Sequence, residues 1–459
     1  MTTVLFADRD GRAFGALGAQ TIPALMPIEA EPALERVLTA LVAAGRRTAL
    51  LVVGPRASEV VGRFGKGIRW GIALEIVRAE EGESAGDVLR RLEARLDGDT
   101  LVVRGDVGAH AAISRFVEAI AAGELPDAPV VAATRSSRPL GLWLVRPAAL
   151  KKVELPKEPA SPEWKVADDQ QGFEVKGADV VLLDSVTAFH AAARPQKSAV
   201  SARAVVESGV TLGPGTAVAE EAAVLTGAKL ENVVVLPRTV IPPALSLSGA
   251  AVSGNFVLDG ATGATSLLSD RLPEKRRPRT ASFGGRLLGT AAFFFSLPLW
   301  PIAFGWGLVA NAGHATRRVM LSGNGPGTGA EGLPERRPFS TILFESGVPI
   351  LRDLPLLLAV VKGKLALVGV TPRSPEEEKA LASDWERARL EAPAGLLSLS
   401  RLTVPASAPV DVSRLVDSWQ ARTGDGGVLS RALGALFSAR AFTTPRAWNP
   451  DELSDGSSA

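Results

Sequence analysis

Chemistry in this chain has to come from carboxylates, guanidinium groups and ammonium groups. There are no cysteines, and the three histidines (His110, His190, His314) are far apart. Disulfides, thiolate ligands and a histidine metal cluster are therefore not expected. The remaining candidates fall in two stretches. Near the start, Asp8 and Asp10 surround Arg9, followed by Gly11 and Arg12, and Asp106 closes the phrase RGD at 104–106. A lone aspartate at the end of a strand reads either as a loop cap or as a ligand. The second stretch is LRDLPLLLAVVKGKLALVGVTPRSPEEE at 351–378. There Lys362 and Arg373 can grip a phosphate or serve as ordinary interfacial cations. Arg352 stays protonated and cannot act as a nucleophile.

These residues must be positioned by folded elements. From the start, short apolar runs at 3–7, 50–53, 73–77, 100–103 and 129–133 alternate with helical spacing at 31–44 (Leu34, Val37, Leu38, Leu41) and 86–96. Such alternation predicts a parallel sheet with helices on both faces. Beginning at Val200, an aliphatic residue recurs at every sixth position: Val206, Leu212, Val218, Val224, Leu230, Leu236. Four residues after each comes a small or β-branched one, from Ala204 to Val240. A strict period of six predicts a left-handed parallel β-helix, three hexads to a triangular turn. Such coils serve as spacers, as oligomerisation surfaces or as acyl-CoA sites. The phase slips near Pro242 and Pro243, and 260–270 reads as a linker.

The stretch 287–316, LLGTAAFFFSLPLWPIAFGWGLVANAGHAT, carries no charged residue. As one helix it would be roughly 45 Å long, beyond a hydrocarbon core of about 30 Å. Pro298 and Pro301 at its centre each remove a backbone donor. Lys275, Arg276, Arg277, Arg279 and Arg286 precede it, and Arg317 and Arg318 follow it. Basic residues on both sides place both ends on the cytoplasmic face. The expectation is a re-entrant helix that bends at the prolines. A single kinked span and a buried core helix are the other readings. The chain carries 51 basic and 49 acidic residues, so no attraction to nucleic acid is implied. Its N-terminus, MTTVLFADRD, lacks a signal peptide's basic start and apolar core. The bulk is expected on the cytoplasmic side, held to the inner face of a membrane.

Two resemblances follow from these phrases. The order of strand, loop, PALMPI (23–28), PALERVLTALVAAG (32–45), RWG (69–71) and RGD resembles a nucleotide-sugar pyrophosphorylase domain. That family's first loop is glycine-rich with an arginine, because backbone N–H groups must approach a triphosphate. Here Asp8 and Asp10 would repel the phosphates, Ala13 stands at the arginine's place and Pro23 at an expected lysine's place. Asp106 matches the family's metal-binding aspartate. The resemblance implies a retained Rossmann-like nucleotidyltransferase fold with lost or altered nucleotidyl transfer.

The stretch 351–378 resembles the bacterial sugar transferases, the monotopic polyprenyl-phosphate phosphoglycosyltransferases. Leu351, Leu354, Pro355, Leu357, Val360, Lys362, Gly363, Leu367, Val368, Gly369, Pro372 and Arg373 match their signature. The phrase APAGL at 392–396 stands for an Arg-Pro-Gly-Ile-Thr-Gly phrase. Trp419 and the amphipathic segment 428–442 stand for closing interfacial helices. A bent anchor, with Ser296, Pro298 and Pro301 around its turn, is the same family's hallmark. The resemblance implies movement of a sugar phosphate from a nucleotide sugar to polyprenyl phosphate. It does so through an aspartate nucleophile, a neighbouring glutamate and Mg²⁺. Arg352 stands at the aspartate's position and Asp353 at the glutamate's. Asp353 is thus the candidate catalytic carboxylate and, with Asp106, the candidate metal ligand. Arg352, Lys362 and Arg373 are the candidate phosphate contacts. Val370 and Thr371 interrupt the Val-Gly-Pro-Arg phrase.

The expected organisation is multidomain α/β. A pyrophosphorylase-like domain covers 1–193, a hexad coil 194–262, a linker 263–281, an α-rich membrane domain with the re-entrant helix 282–445, and a disordered tail 446–459. The function is either a membrane-anchored sugar-phosphate transferase or a catalytically inactive paralogue acting as scaffold or regulator. The coil offers a route to a homo-oligomer.

Overall fold

The first sheet forms where the sequence is most continuously apolar. Val4, Leu5, Phe6, Leu51, Val52 and Val53 are fully enclosed, because a strand covered by helices on both faces has no solvent side. In the computed structural model, which describes residues 1–177, 180–274, 278–310, 315–328, 333–346, 348–405 and 407–436, this sheet has seven strands. They are β1 (Thr2–Ala7), β2 (Thr48–Val53), β3 (Ala73–Arg78), β4 (Thr100–Arg104), β5 (Val130–Arg135), β6 (Arg138–Val145) and β7 (Gln171–Glu174). Their order is β3-β2-β1-β4-β6-β5-β7. The first four are parallel, but β6 runs antiparallel to both β4 and β5. The sheet is thus mixed rather than wholly parallel. The cause is local: Ser136 and Ser137 adopt φ of 48° and 62°, the left-handed pair of a two-residue hairpin turn that folds β6 back.

The hexad region forms three short parallel sheets. One joins Ala199–Val200, Ala217–Val218, Val234–Val235 and Ala250–Ser253, and the other two carry three strands each. The first turn pairs at an offset of 18 residues, as in Ala199 with Ala217, but the next pairs Ala217 with Val234, one residue fewer. The phase therefore slips before Leu236, not at Pro242. Asn232, at φ 54°, turns that corner in a left-handed conformation, and Val235 rather than Leu236 points inward. The segment read as a linker is part of the fold. Thr265–Leu267 pairs with Phe256–Asp259, and Leu268 is fully buried against the coil's interior.

Two of the three faces are covered. Ala217, Val234 and Ala251 pack on Phe14, Leu17, Met26 and Phe189 of the first domain. Ala223, Leu225 and Val240 pack on Leu399, Val404, Val412 and Val416. Leu415 and Trp419 press into the coil's own interior cluster. Trp419 is therefore a packing residue at 3% exposure, not an interfacial one. The third face shows Thr211, Lys229, Glu231, Ser246 and Ser248 to solvent.

The last third is helical around a long hairpin, Thr316–Thr328 with Pro334–Phe344, and a parallel pair, Ala366–Val368 with Gly395–Leu397. It is preceded by the apolar helix Phe283–Ser296, a 3₁₀ turn Leu297–Leu299 and the helix Trp300–Ala310. The stretch 283–309 is long and apolar enough to cross a membrane, and most of its surface is exposed. Each proline leaves one carbonyl without its helical partner. The residue just before supplies the donor: Leu297 N–H bonds Phe294 O, and Trp300 N–H bonds Leu297 O. Tightening to a 3₁₀ turn thus satisfies the backbone across the break. Lys275, Arg276, Arg277 and His314, residues 437–442 of the segment 428–442, and the tail 446–459 lie outside the described residues.

Candidate functional site

Strands β1 and β4 end side by side, and this brings the first set of charges together. Asp8, Arg9, Arg104 and Asp106 are all at most 2% exposed. Arg104 Nη2 donates to Asp8 Oδ1 at 2.5 Å and its Nε to Asp106 Oδ1 at 3.3 Å. The Arg9 backbone N–H donates to Asp106 Oδ2 at 3.2 Å, and its guanidinium bonds the carbonyls of Asp106 and Leu183. From the segment after β6, Lys157 pairs with Asp8 at 2.9 Å and Glu158 with Arg9 at 2.8 Å. Burial alone would raise the Asp8 carboxyl; Arg104 and Lys157 hold it below the usual range. At Asp106 burial prevails and the carboxyl is pushed up, against Arg104 and Arg9. Burial likewise works against the Arg104 charge, but Asp106 and Asp8 raise it. Three cations and three carboxylates thus balance one another here.

Asp353 ends the short helix Pro349–Asp353, with Arg352 beside it. Sequence neighbours on a helix point apart by about 100°, yet Arg352 bends back. Its Nε donates to Asp353 Oδ1 at 2.8 Å, and Arg401 grips the other oxygen. Arg401 also donates to Leu396 O at 2.7 Å. Its burial lowers the guanidinium's pKa, against the pull of Asp353. The carboxylate is 9% exposed and lies between two cations.

Arg373 belongs to a third set. It donates to Ser413 Oγ at 2.6 Å and lies 3.4 Å from Glu377 and 3.9 Å from Asp417. Arg389 bonds Thr371 O, with Glu378 at 3.3 Å and Asp417 at 3.6 Å. Arg336 donates to Asn324 Oδ1 at 2.9 Å and to Ala392 O at 2.5 Å. Arg336 is half-buried by area, but its Nε is sealed from solvent. Burial, with Arg389 nearby, lowers its pKa to about 10. Burial and Arg389 also lower that of Arg373. The Nε–H groups of Arg336, Arg373 and Arg389 are buried with no hydrogen-bond acceptor. Thr371, half of the insertion that interrupts the signature, is a hub. Its Oγ1 lies 2.7 Å from Ser398 Oγ, 2.6 Å from Ser400 Oγ and 3.2 Å from Asp417 Oδ1.

Of the predicted phosphate contacts, Arg352 is committed to Asp353, and Arg373 is buried in its own network. Lys362 is exposed at the end of the helix Leu356–Val361. At the apolar helix, Ser296 Oγ donates to Phe293 O at 2.8 Å and accepts from Trp300 Nε1 at 3.2 Å. Pro298 and Pro301 are exposed. Sequence reasoning did not find Arg401, Arg389, Asp417 or Arg336, none of which sits in a recognisable phrase.

A divalent ion needs several oxygen donors on one point. Among the described residues, no group of three or more His, Cys, Asp or Glu could hold one. Asp106 faces Arg104, and Asp353 faces Arg352 and Arg401, so neither donor set fits Mg²⁺.

No family profile matches the chain, and no curated protein does. Among solved structures it is similar to a putative glucose-1-phosphate thymidylyltransferase from Bacillus anthracis, solved in complex with a sucrose. The two are 14% identical over 38% of this chain and 86% of that one, with a TM-score of 0.30. A likeness that slight carries no argument about what this chain does, and the seven-stranded mixed sheet alone places the first domain among α/β folds.

Proposed function

We propose that this chain is a membrane-attached scaffold or regulator of glycoconjugate or exopolysaccharide assembly, and that it does not itself transfer sugar phosphate. One observation carries this reading: the only carboxylate at the position expected to react, Asp353, is held by Arg352 and Arg401. A carboxylate neutralised by two guanidiniums is a poor nucleophile and a poor metal ligand. The pathway it serves moves a sugar phosphate from a nucleotide sugar to polyprenyl phosphate, at the cytoplasmic face of the bacterial inner membrane. Membrane attachment is supported by the apolar helix with its exposed Phe294, Phe295, Ile302, Phe304 and Trp306. We read the three-sided coil as a left-handed β-helix that locks the first domain to the last third. Its uncovered polar face is the one available to a second copy.

The transferase reading is favoured by a different observation, the buried guanidiniums of Arg336, Arg373 and Arg389 with unused N–H groups. One experiment separates the two. Purified protein is incubated with a panel of nucleotide sugars, Mg²⁺ and polyprenyl phosphate in detergent. Release of a nucleoside monophosphate that Asp353→Asn abolishes establishes the enzyme. No release across the panel, alongside an active homologue as positive control, supports the scaffold.

A further inference from the structure

The apolar helix does not stand away from the protein. Its buried and half-buried positions are Gly285, Gly289, Thr290, Ala292, Phe293, Ser296, Trp300, Ala303 and Gly307. These recur at three- and four-residue steps, the mark of one helix face. The stripe keeps its phase straight through Pro298 and Pro301. Near one end, a Cβ on Gly289 would come within 2.5 Å of Val360. Near the other, a Cβ on Gly307 would come within 2.9 Å of the Ala315 carbonyl. These glycines are roughly 27 Å apart along a helix, and both press on the same folded body. Between them Phe293 and Trp300 pack on that body's core, with Trp300 against Phe344 at 5.5 Å.

A helix that crosses a bilayer puts its ends on opposite sides, and a re-entrant one carries its turn deep and away from the body. Neither geometry lets a single soluble body line one face from end to end. Roughly two thirds of the circumference is left over, and it is apolar: Leu287, Leu288, Phe294, Phe295, Ile302, Trp306, Leu308 and Val309 are all exposed. Cations gather at the start of the helix. Arg286 donates to Val361 O and lies against Gly363, next to exposed Lys362 and Lys364. At the far end Arg318 is exposed. A cationic rim beside an apolar belt complements anionic headgroups over acyl chains.

We infer that the helix at 283–309 lies in the plane of the membrane interface, sunk to its belt in one leaflet, with the C-terminal body riding along its length. This rests on the membrane reading above. It replaces the expected bend into the bilayer with an in-plane support.

The chain has no cysteine, so single-cysteine variants of the full protein can be spin-labelled without background substitutions. Leu288→Cys, Phe295→Cys, Ile302→Cys and Val309→Cys are spaced by seven and share one exposed face. Nitroxide depth is read by oxygen and nickel-chelate accessibility on vesicles of phosphatidylglycerol and phosphatidylethanolamine. The expected result is one shallow depth at all four positions. Labels at 295 and 302 lying roughly 10 Å deeper than those at 288 and 309 would overturn it, since that is the depth gained along one arm of a steep hairpin or span. Should a variant misfold, Leu287→Cys, Phe294→Cys and Leu308→Cys supply a neighbouring face, at steps of seven and fourteen residues. Failure of the unlabelled protein to sediment with these vesicles is a separate outcome and sinks the membrane reading itself. Vesicle binding with unequal depths sinks only the in-plane geometry.

Discussion

The two places where this chain is expected to carry reacting carboxylates differ in how their charges are balanced. At the ends of β1 and β4, Arg104 serves Asp8 and Asp106 together, and Lys157 and Arg9 complete the balance. At Asp353 the arithmetic is reversed, since one carboxylate serves Arg352 and Arg401. The first cluster closes on itself and ties β1, β4 and the 157–158 segment into one unit. The second sets one carboxylate between two guanidiniums, in the body that touches the apolar helix. A buried ion pair is costly to break because the surviving charge has no solvent to receive it. Which partner is shared therefore decides which substitution does most damage.

Arg104→Leu should have the largest effect. It strands two enclosed carboxylates at once, a loss of about 3–5 kcal/mol by the usual cost of breaking a buried pair. Urea unfolding followed by tryptophan fluorescence measures it, with Trp143 and Trp164 reporting on this domain. Arg104→Leu combined with Asp106→Leu should recover part of the loss, because an apolar pair of similar volume needs no counter-charge. A loss under 1 kcal/mol for the single variant would mean that Lys157 and Arg9 already neutralise both carboxylates.

Asp353→Asn comes next. The amide can still accept from Arg352 or Arg401, so only the charge is removed, costing at most about 1.5–3 kcal/mol, the worth of hydrogen bonds to charged groups. Urea unfolding measures this too, and a loss equal to that of Arg104→Leu would break the comparison, since the amide keeps an acceptor in place whereas Arg104→Leu removes the donor that two carboxylates share.

What could be read in advance follows the same division. Periods survive in sequence: the alternation of β1 to β4 and the six-residue step of the coil were legible because each repeats one physical requirement many times. The coil's dropped residue at Asn232 was not legible, since a left-handed corner can be turned by any of several residues. Charge partners were legible on one side only. Asp353, Thr371 and Asp8 stand in phrases the sequence singles out, but Arg401, Arg389, Asp417 and Lys157 reach them across 48, 18, 46 and 149 residues of chain. Nothing local announces such pairings. The in-phase stripe on the apolar helix was hidden for another reason. With every face apolar, hydrophobicity cannot say which face meets protein, and only small residues such as Gly289, Ala303 and Gly307 mark it.

The smallest effect lies where the last third clasps the coil, and its pH dependence has a definite sign. Arg431 bonds both carboxylate oxygens of Glu207 at 2.7 Å, and Thr226 donates to the same group. Burial would raise the Glu207 carboxyl, but these partners bring it below its ordinary value. A depressed carboxyl stabilises the fold fully above its unfolded pKa of about 4.3, and that contribution is lost as pH falls through the folded value. In the first cluster the two enclosed aspartates act in opposite directions. Asp8 is depressed and loses stabilisation in acid, whereas Asp106 is raised and is relieved of strain there. Their acid dependences offset each other, and that of Glu207 does not. Acidification should therefore loosen the helix Val428–Leu436 from the coil before it disturbs β1 and β4. Hydrogen exchange between pH 7 and pH 4 reads this directly, as faster exchange at 428–436 with the β1 and β4 amides still protected. Arg431→Ala should cost about 0.5–1 kcal/mol, as half-buried ion pairs do, and should flatten the acid response at 428–436. If the response keeps its slope without Arg431, the clasp is held by Val428 and its apolar neighbours alone.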